Sequence, residues 1–133
     1  MVKLVLTSLL LAFSLASESC PISPFKRVTM EHERFLEESN IVFFGSLDSE
    51  EIDEEAMEQV ATFTVIKSYK GNVSGKVTII NKLSSSCSRT FQAPKSAFYV
   101  YAKATEQRAI YQISGFASFV PLSNAQEYEW SPE

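Results

Sequence analysis

Val60-Ala-Thr-Phe-Thr-Val-Ile-Lys-Ser-Tyr69 is the stretch on which the fold turns. Ala61, Phe63 and Val65 alternate with Thr62 and Thr64. That period of two describes a strand with one face on a core and the other in water. The segments around it read the same way. Ile41-Val-Phe-Phe-Gly-Ser-Leu47 is dense in β-branched and aromatic residues and predicts a strand. Lys70-Gly71-Asn72-Val-Ser-Gly75 predicts a turn, and Val77 to Asn81 the next strand. A polar loop follows at Ser84-Ser-Ser-Cys87, then a strong strand at Ala97-Phe-Tyr-Val-Tyr-Ala102. Thr105 to Arg108 turns the chain, and Ala109-Ile-Tyr-Gln-Ile113 returns it.

The ends read differently. Cys20-Pro-Ile-Ser-Pro24 is an extended lead, because proline disfavours helix at and before itself. From Arg27 to Glu38 a helix is expected, with Val28, His32, Phe35 and Leu36 at i, i+4, i+7 and i+8 on one apolar face and Ser39-Asn40 as its stop. Ser123-Asn-Ala-Gln126 has the spacing of a capping box, so a short last helix is expected from Ser123. Five short strands at turn-rich spacing with helices outside them predict a mostly β fold, a small five-stranded OB-like barrel with flanking short helices.

Residues 1–16 have the three parts of an export signal. Lys3 is the only charged side chain before Glu18, and an apolar run from Leu4 to Ala16 follows it. The run is shorter than the roughly 20 residues a spanning helix needs, so no transmembrane segment is expected. Cleavage after Ala16 fits the small-x-small rule best and leaves Ser17 first. Cleavage after Ser19 fits less well and leaves Cys20 first. A lipid on Cys20 would strand Cys87 as an odd thiol. The remainder is expected to be a single domain over residues 20–133.

Without Lys3 the chain holds 11 basic and 16 acidic side chains, a charge of about −5. That balance argues against nucleic acid or an anionic membrane as partner. Cys20 and Cys87 are the only cysteines. In an oxidising compartment they have one connectivity open to them. The chain-entropy model caps the stabilisation at roughly 4 kcal/mol.

Enzyme chemistry finds no footing. His32 is the only histidine and lies on the apolar face of the expected helix, which suits a packed side chain. No second base stands ready to activate a serine, and no cofactor is expected. Asp48 to Glu58 holds seven acids and no base. It lacks the glycine and spacing of a calcium loop. A solvated hairpin loop is expected instead, one that could steer a basic partner. Phe43, Phe44, Phe63, Phe98, Tyr99 and Tyr101 sit on strands and are expected mostly in the core, although a barrel face of aromatics can also bind ligands. Asn72-Val-Ser74 is an acceptor sequence for N-glycosylation on the expected turn.

Several of these segments occur in a familiar order. An early Cys20 with prolines precedes a helix and Ile41-Val-Phe-Phe-Gly45. Ala61-Thr-Phe-Thr-Val-Ile-Lys-Ser-Tyr-Lys-Gly71 and Ser86-Cys87-Ser-Arg-Thr-Phe91 come next. Phe98-Tyr-Val-Tyr-Ala102 and Gly115 to Ala125, with Pro121-Leu-Ser123, complete the series. From Cys20 to about Ala125 the chain resembles the tissue-inhibitor-of-metalloproteinases-like branch of netrin-type domains. The resemblance implies an OB-type barrel flanked by helices and a Cys20–Cys87 bridge. The family's second bridge is missing both partners here, at Ile22 and Ala117.

The resemblance also implies a function without turnover. The α-amine and carbonyl oxygen of Cys20 would chelate the zinc of a metalloproteinase, displacing the catalytic water. Pro21 would enter the specificity pocket, although it has no side chain that reaches deep. Ser17-Glu18-Ser19, if retained, would block chelation. The expected class is an exported, non-enzymatic module that binds a protein partner. Its rival is a structural or envelope-associated interaction domain that uses the acidic segment or an aromatic face.

Overall fold

One long strand, β1 (Ile41–Asp53), organises the barrel by pairing on both edges. Its first half lies against β4 (Ala97–Ala104), with Ile41 opposite Ala102 and Ser46 opposite Ala97. Its whole length lies against β2 (Glu58–Lys70), from Val42 opposite Lys70 to Asp53 opposite Glu58. Three register shifts, at Val42/Phe43, Phe44/Gly45 and Leu47/Ser49, bend it between the two partners. Gly45 sits at one of them. A Cβ there would lie 2.8 Å from Cε2 of Phe43 and 2.9 Å from the Thr64 carbonyl oxygen, so only glycine lets the strands approach this closely.

The computed structural model describes residue 20, residues 22–113 and residues 118–133. After β2 come β3 (Lys76–Lys82), β4, β5 (Ile110–Ile113) and β6 (Phe119–Pro121). Hydrogen-bonded neighbours run β1-β2-β3-β5-β4, and β4 returns to β1 to close a five-stranded OB-like barrel. The β3–β5 pair is parallel and the others are antiparallel. The second edge of β4 is shared: β5 takes Lys103 and Ala104, and β6 takes Phe98 to Val100.

Alternation along the strands sorts the interior. Phe98, Val100 and Ala102 point into the barrel with Phe43, Leu47, Phe63, Ile79, Phe91 and Phe119. Tyr101 points outward from the same strand, into a second cluster with Val28, Val42, Val120 and Ala125. Phe35, Leu36, Tyr99 and Trp130 pack against that outer cluster. The expected aromatic core thus divides. Phe43, Phe63 and Phe98 fill the barrel and Tyr101 fills the outer layer. Phe44 and Tyr99 are half-buried, ring against ring at 4.6 Å.

Four expectations need correction. The helix expected over residues 27–38 is two helices, α1 (Pro24–Met30) and α2 (His32–Glu38), with a break at Glu31 where φ is −111° and ψ is 29°. Pro24 stands at the first turn of α1, where its missing N–H is harmless. α1 packs on β6 and α2 on β4, and a straight helix of about 18 Å could not follow both. The acidic segment is not a loop. β1 runs on to Asp53 and β2 starts at Glu58, leaving only residues 54–57 as the turn. Pairing with β2 overrides the poor strand propensity of its acids. β6 was not foreseen, since three residues carry no periodic signal. Lastly, α3 (Leu122–Glu127) is capped by Pro121 with no side-chain cap bond, so Ser123 lies within it.

Among the described residues no helix is long and apolar enough to cross a membrane.

Candidate functional site

Cys20 and Cys87 are joined by a disulfide, with Cα atoms 5.7 Å apart. The bridge fastens the lead segment to the irregular stretch between β3 and β4. Cys20 is half-buried and Cys87 buried, while Ile22, Ser84 and Ser86 are exposed beside them. Pro21 lies outside the described residues, as do Ala117, residues 1–16 and both expected cleavage points.

An anchor has value only if its own footing is firm. The footing here is a pair of buried amides. Gln59 is fully buried and Asn81 is 2% exposed. The Gln59 side chain treats Phe91 as a neighbouring strand would: its Oε1 accepts from the Phe91 N–H at 2.8 Å, and its Nε2 donates to the Phe91 carbonyl at 2.9 Å. The same Nε2 donates to Glu50 Oε2 at 2.7 Å. Asn81 Nδ2 donates to the Arg89 carbonyl at 2.6 Å and to Gln59 Oε1 at 3.2 Å. These bonds satisfy amides that would otherwise be costly to bury.

The result is local order without secondary structure. Phe91 is driven into the barrel end, its ring 4.1 Å from Phe119 and 4.9 Å from Phe63. Before it, the serines fold the loop upon itself. The Ser88 N–H donates to the Ser85 carbonyl at 2.9 Å, and the Cys87 N–H to Ser85 Oγ at 3.1 Å. Sequence reading missed Gln59 and Asn81. The signal was there: each is the polar member of an inward series, Gln59 before Ala61 and Phe63, and Asn81 after Val77 and Ile79.

Beside this footing runs an open groove of about 800 Å³, with Phe25, Phe98 and Leu122 as apolar wall and Arg89 and Lys95 as cationic lip. Ala93 and Lys95 line it with φ of 59° and 78°, a left-handed backbone that side chains rarely adopt.

The other singled-out residues lie elsewhere. His32 Nδ1 is 2.5 Å from the Tyr101 hydroxyl, and its ring meets those of Tyr101 and Trp130 edge-on. Burial, with the phenols of Tyr69 and Tyr99 nearby, pushes the Tyr101 hydroxyl well above the ordinary phenol range. The pair is thus a packed hydrogen bond at the outer cluster. Asn72 is exposed on its turn, with φ of 50°. No group of three or more His, Cys, Asp or Glu is placed to hold a metal ion among the described residues. The structure brings Cys20 and Cys87 together, and the acidic segment meets their footing at one point, where Glu50 accepts from Gln59.

No family model matches the chain, and no curated protein matches it either.

Proposed function

We propose that residues 20–133 form an exported, non-enzymatic binding module that meets a protein partner through the stapled Cys20 edge. The observation that carries this reading is the double anchorage of that edge: the Cys20–Cys87 bridge ties it to a loop that Gln59 and Asn81 hold in turn. A segment ordered before it binds gives up little conformational freedom on binding. The exposed Ile22, Ser84 and Ser86 place contact atoms around it. The resemblance to metalloproteinase inhibitors names the partner in the sharp form of the proposal, a zinc endopeptidase. Its metal would take the α-amine and carbonyl oxygen of Cys20 at the position that its catalytic water otherwise fills.

That form depends on the leader. Cleavage after Ser19 frees the Cys20 amine. Cleavage after Ala16 leaves Ser17-Glu18-Ser19 in front of it, and zinc chelation is then impossible. A second reading, an interaction domain without inhibitory activity, is favoured by one separate observation, the exposed acidic hairpin of β1 and β2.

Sequencing the amino terminus of the exported protein separates the two. A start at Cys20, with stoichiometric inhibition of a panel of zinc endopeptidases, is the expected outcome of the sharp form. A start at Ser17, or inhibition that survives an extra residue before Cys20, overturns it.

A further inference from the structure

Beyond Leu47 one edge of β1 is bare. Pairing with β4 stops at Ser46. Leu47 is still held: its N–H donates to the Ser96 carbonyl at 2.9 Å, and its carbonyl accepts from the Lys95 N–H at 2.8 Å. From Asp48 to Asp53 only the β2 side is paired among the described residues. Residues 48–53 are all exposed, and no described residue bonds to the backbone groups on the other side.

This edge has a firm backing. β2 is paired with β3 from Glu58 to Thr64, and the Met57 carbonyl accepts from the Leu83 N–H at 2.8 Å. Its side chains sort by face. Glu50 and Ile52 share a face with Ala61 and Gln59, while Ser49, Glu51 and Asp53 share the other with Thr62, Val60 and Glu58. Ile52 is 47% exposed and Val60 42%, so each face keeps an apolar side chain in water. Asp48 pairs with Lys76 at 3.4 Å and Glu58 with Lys82 at 2.8 Å. The other five acids, Glu50, Glu51, Asp53, Glu54 and Glu55, have no cation within ion-pair reach among the described residues.

We infer that the Asp48–Asp53 edge is a docking site for a basic, extended segment of a protein partner, which joins β1 as an added strand. Its main chain pairs with the bare groups of β1 and supplies affinity, while alternate side chains supply specificity. The faces of β1 set the pattern: basic side chains beside Glu51 and Asp53, an apolar one beside Ile52. A second copy of this chain does not fit, because two such edges would set like charges against each other. The site touches the footing of the Cys20 edge only through Glu50, and it does not rest on the reading given to that edge.

The test is amide hydrogen exchange on the whole protein at low salt. The probe is a hexapeptide of alternating lysine and valine. Two controls accompany it, the matching glutamate–valine peptide and the lysine peptide N-methylated throughout its backbone. Exchange should slow within residues 48–53 with the lysine peptide alone, and binding should weaken as salt rises. Glu51→Lys with Asp53→Lys, both exposed, should lower its affinity roughly tenfold. Equal binding of the N-methylated peptide would reduce the effect to charge attraction and overturn strand addition. Protection at any other segment, no binding of the lysine peptide, or pairing of two copies through residues 48–53 would overturn the proposal as well.

Discussion

Two stretches next to β2 meet opposite fates. Residues 83–96 have no strand or helix, yet they are clamped: Phe91 is 1% exposed and both its backbone groups are bonded to Gln59. Residues 48–57 are mostly strand, yet they are exposed, and five of their acids have no cation within ion-pair reach among the described residues. Adjacent residues of β2 serve the two. Gln59 faces inward to the irregular loop, and Glu58 and Val60 face the other way on the acidic hairpin. Regular hydrogen bonding and anchorage are thus separate properties. The first comes from a neighbouring strand, the second from what lies under the side chains.

The largest effect should come from opening the disulfide. Cys20→Ser with Cys87→Ser releases a cross-link of 67 residues in sequence, for which the chain-entropy model gives about 4 kcal/mol as a ceiling. Urea unfolding measures it. Gln59 still holds Phe91 when the bridge is gone, so the Phe91 amide should stay protected from hydrogen exchange. If that protection vanishes with the bridge, the clamp is secondary and the loop owes its order to the disulfide.

The reverse experiment comes next in size. Gln59→Leu keeps the volume and the bridge but leaves the buried N–H and C=O of Phe91 without partners, along with the Asn81 amide bond to Gln59. A loss of about 3 kcal/mol is expected. Exchange at Phe91 should now quicken while the disulfide stays closed. Glu50 links the two regions, since it is the hairpin acid that accepts from Gln59. Glu50→Gln keeps an acceptor oxygen and removes only the charge on it, and should cost about 0.5–1 kcal/mol in the same assay.

The barrel was legible because its strands carry their own evidence. Ala61, Phe63 and Val65 announce β2, and Phe98 to Ala102 announce β4, without any knowledge of their partners. The acidic half of β1 does not, because Ile52 is its one strand-favouring residue and the β2 residues opposite hold the rest in place. The break at Glu31 is also invisible locally, since it follows from α1 and α2 resting on different strands. Of the candidate site, the cysteine pair was readable by count. The clamp beneath it could have been suspected from polar residues at inward positions, but its partner, the backbone of Phe91, is 32 residues away.

The smallest effect sits at the hairpin tip, and it sharpens the contrast most directly. Glu54 and Glu55 are exposed in the turn after Asp53, whose Oδ1 accepts from the N–H groups of Glu55 and Ala56 at 3.1 and 3.2 Å. Those bonds use the backbone of the turn and leave both glutamate side chains uninvolved. Glu54→Lys with Glu55→Lys should therefore change stability by no more than about 0.5 kcal/mol in urea. Any change should favour the variant at low salt, because repulsion with Glu51 and Asp53 is relieved, and should fade as salt screens the charges. A stabilisation that vanishes with salt marks these acids as charges that folding merely tolerates. A loss above about 1 kcal/mol would mean that the tip is anchored after all, and the distinction between the clamped loop and the free hairpin would fall.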